Sequence, residues 1–397
     1  SGVCRRSLRQ RPVASKCRYC PICLATRKAD LVFSTADRRH MIRALQLAAR
    51  GRRTARPNPM VGAVVVRDGT VVGEGWHMRA GGDHAEVEAL RAAGDSGKGA
   101  TVYVSLEPCS HHGRTPPCTQ ALITAGVTRV VAAMVDPNPA VAGSGLAELS
   151  AAGIEVASGL LESEAAELNR GFVKRMRHGK PWVTLKIAAS LDGATAMASG
   201  ESQWITGPGA RADVHRLRAE SGAVMTGVGT VIADDPRMTA RLPDATTDQP
   251  LRVILDSDLR TPATAEVLAQ PGATRIYFCG DPVRDDLAER GATLVSVRDD
   301  KNGVRIADVL DDLGRIEIND VFVEAGATLA GSLAAGGWVD EYVLYQAPRL
   351  LGSTTRPMLN TPGWTRLDQG LVLEVTDSRM VGRDVRILAR PRRESEG

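Results

Sequence analysis

The chain has 397 residues, of which 43% are hydrophobic and 24% charged, and its formal net charge is +4. This composition is typical of a globular protein, excludes a disordered chain, and gives no support for a nucleic-acid-binding function. The length favours two domains, and because no run of about eighteen apolar residues occurs, no membrane span is expected. Seven cysteines in so long a chain do not form a disulfide framework, so a cytoplasmic location is expected.

The first 34 residues differ in composition from the rest, because they are rich in arginine and poor in periodic apolar residues. They contain Cys4, Cys17, Cys20 and Cys23, the last three with the spacing C-x-x-C-x-x-C. A small metal site and a flexible, targeting-like extension are both compatible with this pattern. No second ligand pair follows, so residues 1–34 are interpreted as a flexible N-terminal extension.

Regular structure is predicted to begin at the capping run 34–37, after which Met41, Leu45 and Ala48 recur at helical spacing. A β-hairpin follows, and Asp83 is placed to cap the next helix. The predicted strands of this half are 61–66, 71–73, 101–105 and 129–135, and its later helices are 84–93, 119–125, 145–152 and 159–177. Their alternation indicates an α/β sandwich.

The run His178-Gly179-Lys180-Pro181 stops the last of these helices, and the domain boundary is predicted there. Residues 35–180 and 181–397 would then form the two domains. The second has predicted strands at 182–188, 223–226, 251–255, 274–279, 321–323 and 342–345, with helices at 209–221 and 328–335. A solvated tail is expected at 390–397.

A set of metal-binding residue types lies between His84 and Cys118. His84, Cys109 and Cys118 are a tetrahedral zinc ligand set with the fourth position open, and Glu86 can move protons to and from a metal-bound water. The order H-x-E…P-C…C is that of the zinc deaminases, although eight residues instead of two separate the cysteines. A structural zinc knuckle or two reduced core cysteines would explain neither Glu86 nor Pro108.

Two glycine turns in the second half, 226–230 and 324–328, each follow a predicted strand and open a helix, which is an anion-binding arrangement. With Arg218 and Arg241 available for phosphate, they favour binding of a dinucleotide or a phosphosugar. Lys186 lies inside an apolar strand. It either faces a cleft or marks an edge strand.

At these motifs the sequence resembles the RibD family of bifunctional riboflavin biosynthesis enzymes over about residues 36 to 390. The matching segments are His84-Ala85-Glu86-Val87, residues 106–118 with the insertion between the cysteines, Ser190-Leu191-Asp192-Gly193, Ser202-Gln203-Trp204-Ile205-Thr206 and Val323-Glu324-Ala325-Gly326. The resemblance implies a cytidine-deaminase-like three-layer α/β sandwich followed by a dihydrofolate-reductase-like domain. It also implies zinc-dependent deamination of a phosphoribosyl pyrimidine, followed by NADPH-dependent reduction of the ribosyl group to a ribityl chain.

The resemblance also implies roles for individual residues. One zinc ion would be held by His84, Cys109 and Cys118, and Glu86 would be the proton shuttle. NADPH would be contacted by Ala188, Trp204, Thr230, Asp234, Gly326, Ala327, Thr328, Leu329, Ala330, Gly331 and Ser332. The substrate would be contacted by Asn58, His77, His111, His112, Arg114, Thr115, Lys186, Ser202, Arg218, Met238, Arg241 and Glu324.

Two other classes of protein remain open at this point. A nucleic-acid deaminase would need aromatic side chains for base stacking, yet aromatic residues are only 4% of the chain. A non-catalytic zinc-binding protein would result if the second domain had lost its cofactor. The expected partners are therefore the small-molecule substrate and other copies of the chain in a homo-oligomer, with neither nucleic acid nor membrane.

Overall fold

The first half of the protein is built on a five-stranded sheet in the order β2-β1-β3-β4-β5. The computed structural model describes residues 33–110, 116–139, 141–243, 248–300, 303–361 and 363–392. The strands are β1 (Gly62–Arg67), β2 (Thr70–Trp76), β3 (Thr101–Val104), β4 (Arg129–Ala132) and β5 (Glu155–Ser158). The helices are α1 (Thr35–Ala48), α2 (Ala85–Ala93), α3 (Cys118–Thr124), α4 (Ser144–Ala151), α5 (Glu162–Leu168) and α6 (Arg170–His178).

Helices cover both faces of this sheet, because its central strands carry apolar side chains on both sides. Met41 and Leu47 of α1 pack with Val64 on one face, while Ala89 of α2 and Leu122 of α3 pack on the other. The result is the three-layer α/β sandwich that was predicted. The predicted capping run is also confirmed, since Ser34 caps α1 in a capping box with Asp37.

The second half is built on a nine-stranded sheet in the order β11-β10-β9-β8-β14-β6-β15-β18-β17. Its strands are β6 (Trp182–Ser190), β8 (Ala223–Gly227), β9 (Leu251–Leu255), β10 (Thr274–Cys279), β11 (Ala292–Val297), β14 (Asp320–Glu324), β15 (Glu341–Ala347), β17 (Leu373–Val381) and β18 (Asp384–Pro391). Short strands β7 (Ala194–Met197) and β16 (Thr355–Pro357) pair with each other, as do β12 (Asp299–Asp300) and β13 (Gly303–Val304). The helices are α7 (Pro208–Glu220), α8 (Val228–Asp234), α9 (Glu266–Ala269), α10 (Asp285–Glu289), α11 (Ile306–Arg315) and α12 (Ala327–Ala335).

The strands from β11 through to β15 run parallel, and β18 and β17 complete the sheet in antiparallel fashion. Leu310 of α11 and Leu333 of α12 pack on one face with Val323, while Val231 of α8 packs on the other face with Ile254. Burial on both faces explains why these strands are continuous apolar runs in the sequence. None of the helices in the described part of the chain combines the length and hydrophobicity needed to span a bilayer.

The structure corrects four expectations. The predicted helix 159–177 is two helices, because Asn169 breaks it to bond the backbone of Met60. Asp83 does not cap α2, whose N-cap is His84, and pairs instead with Arg91. The remaining two concern the edge-strand alternative for Lys186 and the expected C-terminal tail.

Lys186 does not lie on an edge strand, because β6 is central in the sheet. Arg390, expected in a solvated tail, is in β18 and pairs with Glu167 and Glu341. The proposed extension up to residue 32, with its four cysteines, and His111, His112, Arg114 and Thr115 lie outside the described residues.

Helix α6 joins the two halves by packing against the start of β14. A Cβ atom on Gly171 would lie 2.6 Å from the carbonyl oxygen of Asn319 and would also overlap the Asp320 carboxylate. Around this contact Lys174 pairs with Asp340, and Arg170 pairs with Glu341 at 2.7 Å. Glycine is therefore required by the close approach of α6 to the second sheet.

We expect Gly171→Ala to destabilise the protein, although alanine normally stabilises a helix interior relative to glycine. The added methyl group meets backbone and a carboxylate, and such overpacking costs about 1–3 kcal/mol. Urea denaturation measures the change in the free energy of unfolding. The control is Gly229→Ala in α8, where a Cβ meets no atom within 4 Å, and equal stability of the two variants would contradict the interpretation.

Candidate active sites

Three segments of the first half bring His84, Cys109 and Cys118 together. His84 is the N-cap of α2, Cys109 follows β3, and Cys118 is the first residue of α3. The His84 Nδ1 atom lies 3.1 Å from the Cys118 sulfur and 3.5 Å from the Cys109 sulfur. The Cys118 backbone N–H donates to the Cys109 sulfur at 3.4 Å, which holds the two cysteines next to each other.

These three groups fit a zinc ion. Their ligand atoms all lie within 4.8 Å of one another, and ligands about 2.0–2.3 Å from a tetrahedral zinc would be separated by about 3.6 Å. Hydrogen bonding from Cys118, together with that from His84, lowers the pKa of the Cys109 thiol and so favours the thiolate that binds metal. One imidazole and two thiols leave one tetrahedral position for water or substrate.

Glu86 lies in the first turn of α2, beside the three ligands, and is only 3% exposed. Burial raises the pKa of its carboxyl group to about 7. A carboxyl group with a pKa near neutrality can accept a proton and return it under the same conditions. The geometry therefore suits a proton shuttle.

The segment around Cys109 is held by Glu107, a buried carboxylate that the sequence analysis did not single out. Its Oε2 atom accepts backbone N–H bonds from Asp136 (3.0 Å) and Gly143 (2.9 Å), and its Oε1 atom accepts from Gly145 (2.9 Å). A Cβ atom on Gly145 would overlap the carbonyl oxygen of Pro108. A buried glutamate directly before the Pro-Cys pair is the signal that could have revealed this anchor.

Asn58 and His77 lie together next to the ligand set. Asn58 Nδ2 is 3.0 Å from His77 Nε2, and His77 Nδ1 is 3.0 Å from the carbonyl oxygen of Asp83. Because a carbonyl only accepts, Nδ1 carries the proton and Nε2 accepts from the Asn58 amide. Burial lowers the pKa of His77 and keeps the ring neutral, and the ring packs edge-on against His84 at 5.5 Å.

In the second half, Lys186, Arg218 and Glu324 form a half-buried charged cluster at the carboxyl end of β14. Arg218 donates to both carboxylate oxygens of Glu324, at 3.0 Å for Nη2, and Lys186 Nζ lies 3.7 Å from Oε2. Burial raises the pKa of Glu324, but the charges of Arg218 and Lys186 outweigh it and hold the pKa below its ordinary value. Arg241 bonds the hydroxyl of Thr239, whose carbonyl accepts from Arg218. Three cations around one carboxylate leave an excess of positive charge that suits a phosphate.

The two glycine turns meet at the same end of the sheet, because β8 and β14 are adjacent parallel strands. A Cβ atom on Gly326 would lie 3.8 Å from the Thr230 hydroxyl, and one on Gly227 would lie 3.4 Å from Leu329. No side chain caps the N-terminus of α12, so its first N–H groups are available to an anion. Ligands of open α/β sheets bind at this carboxyl edge, and the turns fit a dinucleotide.

The remaining residues predicted to contact the ligands differ in how exposed they are. Ala188 is half-buried on β6, two residues after Lys186, Asp234 is exposed at the end of α8, and Ser332 is half-buried on α12. Ser202 and Trp204 lie in the loop before α7, where Trp204 is 60% exposed and stacks under Arg211 at 4.6 Å.

Three residues that were predicted to contact a ligand are instead buried in the core. Ala330 and Gly331 are buried, so within the predicted stretch from Gly326 to Ser332 the first turn of α12 is the accessible part. Met238 as a whole residue is 3% exposed and packs in the core beside Ile254.

Two family models match the chain. Residues 34–134 match the cytidine and deoxycytidylate deaminase zinc-binding region, and residues 181–387 match the RibD C-terminal domain. The first match contains all three proposed zinc ligands, and the second contains both glycine turns.

Full-length relatives match both halves together. The riboflavin biosynthesis protein RibD of Escherichia coli is 51% identical over 360 residues, which are 88% of this chain and 98% of that protein. The structure of Acinetobacter baumannii RibD superposes with a TM-score of 0.85 at 46% identity, covering 90% of this chain and 99% of that one. A second structure, that of a diaminohydroxyphosphoribosylaminopyrimidine deaminase/5-amino-6-(5-phosphoribosylamino)uracil reductase from Thermotoga maritima, superposes with a TM-score of 0.78 at 32% identity. The match covers 90% of this chain and 99% of that one.

The fold, the zinc ligand set and these matches define a bifunctional enzyme in which a zinc-dependent deaminase precedes a reductase. The chain belongs to the RibD family of riboflavin biosynthesis proteins. Its activities are accordingly the deamination and the reduction of riboflavin biosynthesis, with zinc and NADPH as cofactors. The predicted family, fold class, activities and cofactors are confirmed.

We expect Cys118→Ser to lose bound zinc together with deamination, because a serine hydroxyl is a poor substitute for a thiolate ligand. The measurement is zinc per chain by atomic emission after purification. Cys279→Ser is the control, since Cys279 lies in β10 of the second sheet. Full zinc content in the folded Cys118→Ser variant would show that the ligand assignment is wrong.

Proposed function

We propose that His84, Cys109 and Cys118 hold the zinc ion and that Glu86 is the general acid and base of deamination. When bound there, zinc would supply Lewis acidity, which lowers the pKa of water toward neutrality. The Glu86 carboxylate takes a proton from the attacking water and gives a proton to the amino group that leaves as ammonia. The observation that supports this role is the burial of Glu86 beside the ligand set, with a pKa raised to about 7.

The pyrimidine ring is proposed to bind against Asn58 and His77, whose mutual hydrogen bond fixes both side chains. Because Asn58 gives one amide N–H to His77, its other N–H and its carbonyl oxygen remain to recognise polar ring atoms. His111, His112, Arg114 and Thr115 are proposed to hold the ribose phosphate.

In the second half, Lys186, Ser202, Arg218, Arg241 and Glu324 are proposed to contact the deaminated substrate. When bound, NADPH would supply the hydride for reduction at C1 of the opened ribosyl group. Glu324 fixes the Arg218 guanidinium through a two-point contact, and the remaining positive charge attracts the substrate phosphate. The cofactor is proposed to bind along Ala188, Trp204, Thr230, Asp234 and the stretch from Gly326 to Ser332.

We assign deamination to residues 35–180 and reduction to residues 181–397. The proposed zinc ligands and Glu86 all precede residue 180, while the glycine turns and the Arg218–Glu324 pair follow it. Gly179, which ends α6 in a left-handed conformation before β6 begins, supports a boundary between residues 180 and 181.

The low aromatic content and the three reduced thiols among the described residues support a cytoplasmic enzyme without a nucleic-acid partner.

We also propose a homo-oligomer that associates through β17. This strand is the edge of the nine-stranded sheet, and its Val375 and Met380 side chains are 60% and 63% exposed. Exposed edges with apolar side chains are sites of association.

Glu86→Gln is expected to lower deamination by about 10²–10⁴-fold, because glutamine keeps the shape and hydrogen bonding of the side chain but cannot carry the proton. Reduction of supplied deaminated substrate, followed by NADPH absorbance, should remain near the level of the unmodified enzyme. Glu324→Gln should have the reverse effect. Loss of reduction in a folded, zinc-loaded Glu86→Gln enzyme would mean that the two reactions share one site.

The oligomer is tested by sedimentation equilibrium of a Val375→Lys, Met380→Lys double variant. A lysine pair on an edge strand opposes association, so the mass should fall toward that of one chain. Val283→Lys, at an exposed position in the loop before α10, should keep the mass of the unmodified protein. An unchanged mass in the double variant would exclude β17 as the interface.

A further inference from the structure

The second half of the chain contacts the deaminase pocket through the loop 54–60, which carries Asn58. We propose that Asn319, at the entrance to β14 of the reductase half, is a positioning residue for deamination. It would act by holding this loop, and hence Asn58, in place. The inference rests on the proposed role of Asn58 in binding the pyrimidine.

The contact with Asn319 is direct and buried. Asn319 Nδ2 donates to the carbonyl oxygen of Pro57 at 2.8 Å, and its Oδ1 accepts from Arg175 Nε of α6 at 2.6 Å. The residue is only 5% exposed. Its amide orientation is therefore set by Arg175, which must find an acceptor, and the amide N–H that remains points to the loop.

Two further contacts fix the same loop on either side of Pro57. Arg56 Nη1 donates to the carbonyl oxygen of Ser221, immediately after α7 of the reductase half. Met60 is held on both sides by Asn169, which accepts from its N–H at 2.8 Å and donates to its carbonyl at 2.9 Å. Two of the three anchors of this loop, Asn319 and Ser221, thus belong to the second half.

The loop leads directly into the metal site. Asn58 follows Pro57, donates to His77 at 3.0 Å, and His77 donates to the carbonyl of Asp83, the residue before the ligand His84. A displacement of Pro57 therefore shifts the amide of Asn58 relative to His84. Misplacement of this kind impairs substrate binding more than metal binding, because His84, Cys109 and Cys118 lie outside the loop.

The test is Asn319→Asp in the full chain. Aspartate keeps an acceptor for Arg175 but places an oxygen against the Pro57 carbonyl, so one buried hydrogen bond becomes a repulsion. The KM of deamination should rise about tenfold, as expected for one buried hydrogen bond. The kcat of deamination should change less, and zinc content and reduction of supplied deaminated substrate should stay unchanged.

Lys174→Met is the matched control, because Lys174 of α6 also pairs across the two halves, with Asp340, and does not touch the loop. Its deamination KM should equal that of the unmodified enzyme. Equal increases of KM in both variants, or a parallel loss of both activities in Asn319→Asp, would reduce the role of Asn319 to general stability and overturn the proposal.

Asn58→Ala separates this inference from the proposed function. If Asn58→Ala raises KM and folded Asn319→Asp does not, the positioning role is wrong while the pocket assignment stands. If Asn58→Ala leaves KM unchanged, the pocket assignment itself fails, and the inference fails with it. Arg56→Met removes the Ser221 anchor from the loop side and should show the same KM increase, which provides a second test if Asn319→Asp does not fold.

Discussion

The buried carboxylate of Glu107 organises the deaminase site. It receives backbone N–H groups from Asp136, Gly143 and Gly145, which belong to a segment that returns from β4 to α4. A carboxylate removed from water is tolerated only when it is hydrogen-bonded in this way. The same bonds fix the end of β3, so Cys109 emerges at a defined point opposite His84. The geometry of the proposed zinc site therefore depends on a residue that is not one of its ligands.

The sequence predicted much of the fold, because the β-branched runs of both sheets are continuous and are separated by helical segments. Ser34 and Asp37, for example, marked the start of α1 correctly. Prediction failed where tertiary contacts override local preference. The break at Asn169 exists because its amide is needed by the backbone of Met60, and no local pattern records that requirement. Strand β17 is largely exposed on both faces and lacks the alternation of apolar and polar residues that identifies a strand. Helix α11 was not predicted, although its apolar residues recur at helical spacing, at Ile306, Val309, Leu310 and Leu313.

The same contrast between local sequence patterns and tertiary contacts applies to the candidate sites. Residue type and spacing alone predict His84, Cys109 and Cys118 as zinc ligands with Glu86 beside them, and the structure brings these residues together. The convergence of Lys186, Arg218 and Glu324 depends on which strands are neighbours, and sequence gives that order only by resemblance. Met238 shows the limit of residue-by-residue transfer, since its side chain fills the core beside Ile254. The contact of Asn319 with Pro57 crosses 262 residues of chain and had no signal in the sequence.

The close packing of Gly145 against Pro108 restricts which residues can replace this glycine. The two positions are distant in the chain, and Gly145 is 38 residues from Glu107, yet a methyl group at 145 would displace the peptide that leads into Cys109. A missense change there would leave all three proposed zinc ligands in the chain and would still displace Cys109. The variant protein would therefore hold zinc less tightly, and its zinc content would depend on the zinc supplied.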